Sequence, residues 1–264
     1  MLLGSGAAAL LTVVDAFGIE PRWLRVTEHD VPVAKLPKIL NGYRIAQVTD
    51  AHLKHIGLIE EAIIREIGQR DASLVLLTGD MINNPLHLHV LEEFCQNLKS
   101  RGRTVLATLG NWEHWAHVPV SLLQKIYQSQ KVKLLINESV SIGSAICISA
   151  TDDSTGGIVL IDKTVSDCTA VAVKLFLTHS PELLDRLPET VGHFDLALAG
   201  HTHGGQGRIG SFAPFLPPGS GRFISGWYEV PIGRAYVSCG TGMTAIPARF
   251  ACRPELPIFT LRQG

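Results

Sequence analysis

Five polar clusters carry the side chains best suited to chemistry in this 264-residue chain: Asp50-Ala51-His52, Gly79-Asp80, Gly110-Asn111, Thr178-His179 and Gly200-His201-Thr202-His203-Gly204-Gly205. Their chemistry is that of metal ligands. Carboxylates, imidazoles and one amide carbonyl, with no thiolate among them, suit divalent manganese, iron or zinc better than a closed structural zinc site. Asp50 and His52, like His201 and His203, are separated by one residue, so a locally extended backbone would turn both members of each pair to the same side. Any one such motif occurs often by chance. The joint pattern is informative because each cluster follows an apolar run, and loops at strand ends are where distant residues converge.

The elements that must deliver these clusters can be read from periodicity. YRIAQVTD at 43–50 reads as a buried strand carrying Asp50 into a loop, and the spacing of Ile59, Ile63, Ile64 and Ile67 predicts a helix over 58–70. SLVLLTGD at 73–80 is a second apolar strand ending in a Gly-Asp turn. The alternation continues with a helix near 88–100, a strand at 104–110, a helix near 119–129 and a short strand at 132–136. From about residue 144 shorter strands dominate: AICISA, then VKLFLTH at 173–179, DLALAG at 195–200 and RAYVSCG at 234–240. The expected architecture is α/β, one domain with two sheets and the metal ligands at the strand ends.

Composition sets outer limits. With 46% hydrophobic and 18% charged residues the chain must fold around a core, and a formal net charge of -1 leaves no nucleic-acid footprint. Any anionic substrate has to be held locally. The five cysteines form no CxxC and no close pair, which reads as small buried side chains. Residues 1–20 open with an uncharged apolar run that Asp15 interrupts, shorter than the roughly 20 residues a membrane span requires. That segment reads equally as a helix packed on the domain or as the tip of a membrane anchor, with residues 21–264 forming the folded domain. Membrane-associated and cytoplasmic locations both fit.

The motifs TDAH, TGD, GNWE, LTHSP and GHTHGGQ resemble, in order, those of the calcineurin-like metallophosphoesterases. The closing YVSCGTGMTAIPARFACRPEL and the opening IEPRWLRV are similar to a bacterial, membrane-associated branch that includes UDP-2,3-diacylglucosamine pyrophosphatases. The resemblance implies a two-sheet sandwich flanked by helices and a dinuclear centre. Asp50, His52, Asp80 and His203 would hold one divalent ion, Asp80, Asn111, His179 and His201 the other, with Asp80 as the bridge. It implies in-line attack by a metal-bridging hydroxide on a phosphodiester or pyrophosphate, a lipid-linked one in that branch, with peripheral membrane contact. The oligomeric state stays open.

One position departs from the family. A histidine usually follows the motif Asn, and here Trp112 stands in its place; an indole cannot deliver a proton to a leaving group. A good leaving group could make the loss harmless, His114 could substitute, or the chain could be a weak catalyst acting as a metal-binding scaffold. Arg222 and Arg249 are the candidate substrate contacts. The stretch 211–230, with Phe212, Phe215, Leu216, Phe223, Trp227 and Tyr228, reads either as an apolar rim for lipid tails or as a stiff loop packed on its own domain. A metallo-β-lactamase site is excluded, since GHTHGGQ lacks the trailing Asp-His such a site needs.

Overall fold

The computed structural model of the protein describes residues 11–168 and 171–264. Two six-stranded sheets stack against each other. The first has the order β1 (Arg25–Val33), β12 (Glu255–Gln263), β2 (Arg44–Val48), β3 (Leu74–Thr78), β4 (Thr104–Thr108) and β5 (Lys133–Leu134). The second has the order β10 (Gly226–Val230), β11 (Gly233–Val237), β9 (Phe194–Ala199), β8 (Val173–Leu177), β7 (Ile146–Ala150) and β6 (Glu138–Ile142). Within the first sheet only the β12–β2 pair is antiparallel; in the second, only β6–β7 and β10–β11 are.

The strands that carry the polar clusters are parallel neighbours, β2-β3-β4 in one sheet and β8-β9 in the other. Strands buried on both faces read as unbroken apolar runs because alternate side chains enter different cores. In β3, Leu74 and Leu76 meet Ile148, Leu175, Leu177 and Leu198 of the opposite sheet. Val75 and Leu77 instead enter the core under helices α1 (Leu58–Gln69), α2 (Leu88–Leu98) and α4 (Val120–Ser129). A third core on the far side of the second sheet gathers Phe176, Phe194, Leu184 and Phe223. The order is therefore helices, sheet, sheet, and a thinner outer layer with the short helices α5 (Ile161–Val165) and α6 (Glu182–Arg186).

Three features depart from the sequence reading. β1 and β12, paired in parallel over nine residues, are absent from it: β1, RVTEHDVPV, is mostly exposed or half-exposed and carries no apolar signature, whereas β12, ELPIFTLRQ, is buried from Glu255 to Leu261. Cys147 and Cys168 form a disulfide that ties β7 to the turn after α5, while Cys95, Cys239 and Cys252 are buried free thiols. The expectation of unpaired cysteines failed there because a separation of 21 residues shows no local motif. Finally, the end of the 211–230 stretch is strand β10, not loop.

The start of the chain bears on its two readings only in part, since residues 1–10 lie outside the described residues. From Asp15 to Arg22 a π-turn and a 3-10 turn run along the domain, where Glu20 accepts the Ala251 and Cys252 N–H groups. Val13, Val14, Phe17 and Ile19 on this segment are exposed. No helix among the described residues is long and apolar enough to cross a membrane.

Candidate metal centre

All seven candidate ligands meet at the ends of β2, β3, β4, β8 and β9, and all are buried, the most exposed at 4%. One ligand atom each from Asp50, His52 and His203 falls within 4.8 Å of the others, and the same holds for Asp80, His179 and His201. The two groups adjoin. His179 Nε2 lies 3.1 Å from Asp80 Oδ2 and 3.8 Å from Asp50 Oδ1, and His52 Nε2 lies 3.9 Å from Asp80 Oδ2. Asn111 joins the second group through its side-chain oxygen, 2.8 Å from His201 Nδ1.

Close approach of the two sheets at this edge depends on glycine. A Cβ on Gly79 would sit 2.5 Å from His179 Nδ1, one on Gly240 would sit 2.7 Å from Asp50 Cβ, and one on Gly200 would collide with Thr49 and Asp50. Across the seam the Gln47 amide donates to Thr78 Oγ1 at 2.9 Å and to the Ala199 carbonyl at 3.0 Å, and the His201 N–H donates to Asp50.

The backbone here is not extended. Asp50, His52, Asp80, His201 and His203 have φ of 53°, 44°, 54°, 70° and 49°, in the left-handed region that costs most residues about 1–3 kcal/mol. The locally extended backbone on which same-side pairing of D-x-H and H-x-H depended is therefore absent, although Asp50 and His52 still fall in one group. Tight left-handed turns aim the side chains, and His201 and His203 go to different groups.

These residues fit a pair of cations. His179 Nδ1–H donates to the Thr78 carbonyl at 2.8 Å, and its Nε2, fully buried, has no hydrogen-bond partner. His201 Nε2–H donates to the Pro218 carbonyl at 2.7 Å, which turns its Nδ1 lone pair inward. His52 and His203 face each other Nε2 to Nε2 at 3.2 Å, with Asp50 Oδ1 3.3 Å from the latter. Burial pushes His52, His201 and His203 below the ordinary imidazole range, so they stay neutral, the form that ligates metal. His179 goes the other way: burial opposes its charge, but Asp80 and Asp50 overcome that and hold its proton.

Other expected residues are engaged elsewhere. Arg222 forms a bidentate pair with Asp185 at 2.8 and 2.9 Å on the surface and lies over Phe223 and Tyr228. Arg249 is fully buried, and its guanidinium donates to the carbonyls of Cys239, Gly240, Gly242 and Cys252. It stitches the loop that backs Asp50, where Gly242 N–H donates to the Asp50 carbonyl at 2.7 Å. His114 is held by Asp152 at 2.7 Å, and this hydrogen bond raises its pKa against the effect of burial. Phe212 and Phe215 project from the 211–221 loop, but Phe223 is core and Trp227 packs on His29, Tyr236 and Phe259.

Sequence reasoning missed two buried carboxylates. Glu113, which the GNWE motif carries two residues after Asn111, accepts four backbone N–H groups, those of Asp80, Met81, Ile82 and Gly110. It locks the Gly-Asp turn to α3 (Asn111–Trp115), and the three-residue spacing from Gly110 is that of a capping box. Asp153 accepts from Thr155, Gly156 and Ser180 beside His179. Its signal was available: β7 also ends in a polar cluster, Thr151-Asp152-Asp153.

A cavity of about 870 Å³ opens beside His52 and Trp112. Phe17, Arg22, Lys54, His55, Leu58 and Met243 are among its walls, and none of Arg222, Arg249 and His114 is.

Two stacked sheets with helices outside, and carboxylate, imidazole and amide ligands converging at their strand ends, define a metal-dependent hydrolase of phosphoesters. The chain belongs to the calcineurin-like phosphoesterase family, whose pattern it matches over residues 43–205. It is 30% identical to the uncharacterized metallophosphoesterase YkuE of Bacillus subtilis, covering 99% of this chain and 95% of that protein. An uncharacterized metallophosphoesterase of Aquifex aeolicus is 28% identical over 92% of this chain and 94% of its own length. A transmembrane protein with metallophosphoesterase domain from Danio rerio is 26% identical, and this chain spans 58% of it.

Proposed function

We propose that the chain hydrolyses a phosphodiester or pyrophosphate that carries a bulky apolar group, a lipid-linked substrate approached from a membrane surface. The observation behind this reading is the cavity. Its floor adjoins His52, it is lined by the cations Arg22 and Lys54, and Phe17, Leu58, Ile59 and Met243 make its walls largely apolar. Phe17 belongs to the exposed apolar segment at 13–19, so the cavity mouth and the surface best suited to lipid are continuous. The exposed apolar residues at 13–19 would then make the peripheral contact.

In this proposal Asp50, His52, Asp80 and His203 hold one manganese, iron or zinc ion, and Asp80, Asn111, His179 and His201 hold the other. Two such ions supply an activated water and neutralise charge on the phosphoryl oxygens. The chain's own part is to keep three imidazoles neutral, to fix Asp80 through Glu113 and the Trp112 N–H, which donates to Asp80 Oδ1 at 2.8 Å, and to close the back of the site with Arg249. Lys54 and Arg22 attract the anionic substrate into the cavity.

The test is a substrate panel on protein loaded with each metal in turn, together with sedimentation on anionic and neutral liposomes. Turnover of lipid-linked diesters or pyrophosphates above soluble ones, with retention on liposomes, is expected. Equal turnover of short soluble monoesters with no liposome binding would overturn the lipid-linked assignment.

A further inference from the structure

The reaction needs a proton for its leaving group, and Trp112, which stands where the family carries histidine, has none to give. His114 is committed to Asp152 and does not reach the cavity. Five titratable residues line the cavity: Arg22, His52, Lys54, His55 and Glu60. Four are unsuited. His52 faces His203 inside the ligand cluster. Glu60 accepts the Gly57 N–H at 3.0 Å as the cap of α1. Arg22 donates to the Gly18 carbonyl at 2.6 Å, and guanidinium does not release its proton in water. Lysine ammonium as a type holds its proton far more tightly than imidazole, and general acid catalysis works best near the operating pH.

We infer that His55, exposed on the loop between β2 and α1 and lining the same cavity as His52 and Trp112, is the catalytic acid that protonates the leaving group. Resting on the phosphoesterase reading, the inference assigns a role to a residue three positions beyond a ligand. As the P–O bond to the attacking water oxygen forms, the P–O bond to the leaving oxygen breaks. That bond's electron pair stays on the leaving oxygen, which takes the proton from the His55 imidazolium. One proton of the attacking water passes to solvent while the other stays on the phosphomonoester, and solvent restores the imidazolium. The products are the phosphomonoester and the alcohol. The charged groups flanking His55 in the chain are Lys54 and, on the following helix, Glu60. Both face the same cavity.

Leaving-group dependence tests this directly. With manganese-loaded protein, His55→Gln should lower kcat/KM for an alkyl phosphodiester by about 10²–10⁴-fold, the usual worth of general acid help. The nitrophenyl diester, whose leaving group needs no proton, should change by less than about threefold. Metal content and Tm should be unchanged, as expected for an exposed side chain, and His114→Gln should show no such split. Equal loss on both substrates, or no loss on either, overturns the role. If the unsubstituted protein, shown to hold metal, turns over neither diester, the phosphoesterase reading fails and takes this role with it.

Discussion

The ligand cluster and the cavity wall meet at His52 and Trp112, yet they are built by opposite means. In the cluster every side chain is buried, every carboxylate accepts backbone or side-chain donors, and five ligands sit on left-handed backbone that only surrounding structure can impose. Across Trp112 the wall exposes Lys54, His55 and Leu58 on a loop and a helix start. The difference separates two tasks. Chemistry common to the family needs preorganised ligands held to within fractions of an ångström, whereas recognition of one substrate needs only a lining of suitable polarity.

The largest effect expected of any change falls on the rigid side. Asp80 stands in the ligand group of His179 and His201 and lies 3.9 Å from His52 of the other. Asp80→Ala should remove bound metal and cut kcat/KM by roughly 10³-fold or more, since electrostatic stabilisation and nucleophile generation go together. Elemental analysis beside a diester assay checks it, and full activity in the variant would break the comparison at its base.

Next comes the scaffold behind the cluster. Arg249→Ala strips donors from four carbonyls at once, three of them buried, and should destabilise the fold by about 3–5 kcal/mol, comparable to breaking a buried charge network. Denaturant unfolding of the apoprotein measures it. A loss below about 1 kcal/mol, with KM raised instead, would return Arg249 to the substrate.

Those two changes also mark what could be read in advance. The convergence of the candidate ligands was legible because Asp, Asn and His after apolar strands have few structural uses, and the parallel strands showed as unbroken Leu and Val runs such as SLVLLTGD. The supports were not. Arg249 and Glu113 look like surface charges until the fold buries them among backbone groups, and no local pattern records that. β1 stayed hidden for the related reason that one of its faces is wet. His55 and Lys54 were passed over because an exposed loop residue carries no periodicity at all.

A smaller effect should appear at His114, just outside the cluster. Its folded pKa is raised by the hydrogen bond to Asp152, so its contribution to stability is fully present below the unfolded imidazole value of about 6.5. That contribution fades as pH climbs through the higher folded value. His114→Gln should therefore lower Tm by about 2–4 °C near pH 6, equivalent to about 1 kcal/mol, and by less near pH 9. Thermal melts of both proteins across that range decide it. A gap that widens with pH would show that His114 is not held as the imidazolium.

The smallest effect belongs to Arg222, where the two regions can be told apart from the outside. Its guanidinium is about half exposed, and its partner Asp185 lies on α6, away from the cavity walls. A surface pair of this kind contributes about 0–1 kcal/mol and weakens with salt. Arg222→Ala should leave kcat/KM within about twofold for both soluble and lipid-linked substrates and shift Tm by no more than about 2 °C. The matching change at the cavity, Lys54→Ala, should raise KM for an anionic substrate while leaving kcat in place, because its charge acts on approach rather than on bond breaking. Should Arg222→Ala raise KM and Lys54→Ala not, the substrate lies over the second sheet, and the cavity beside His52 has another use.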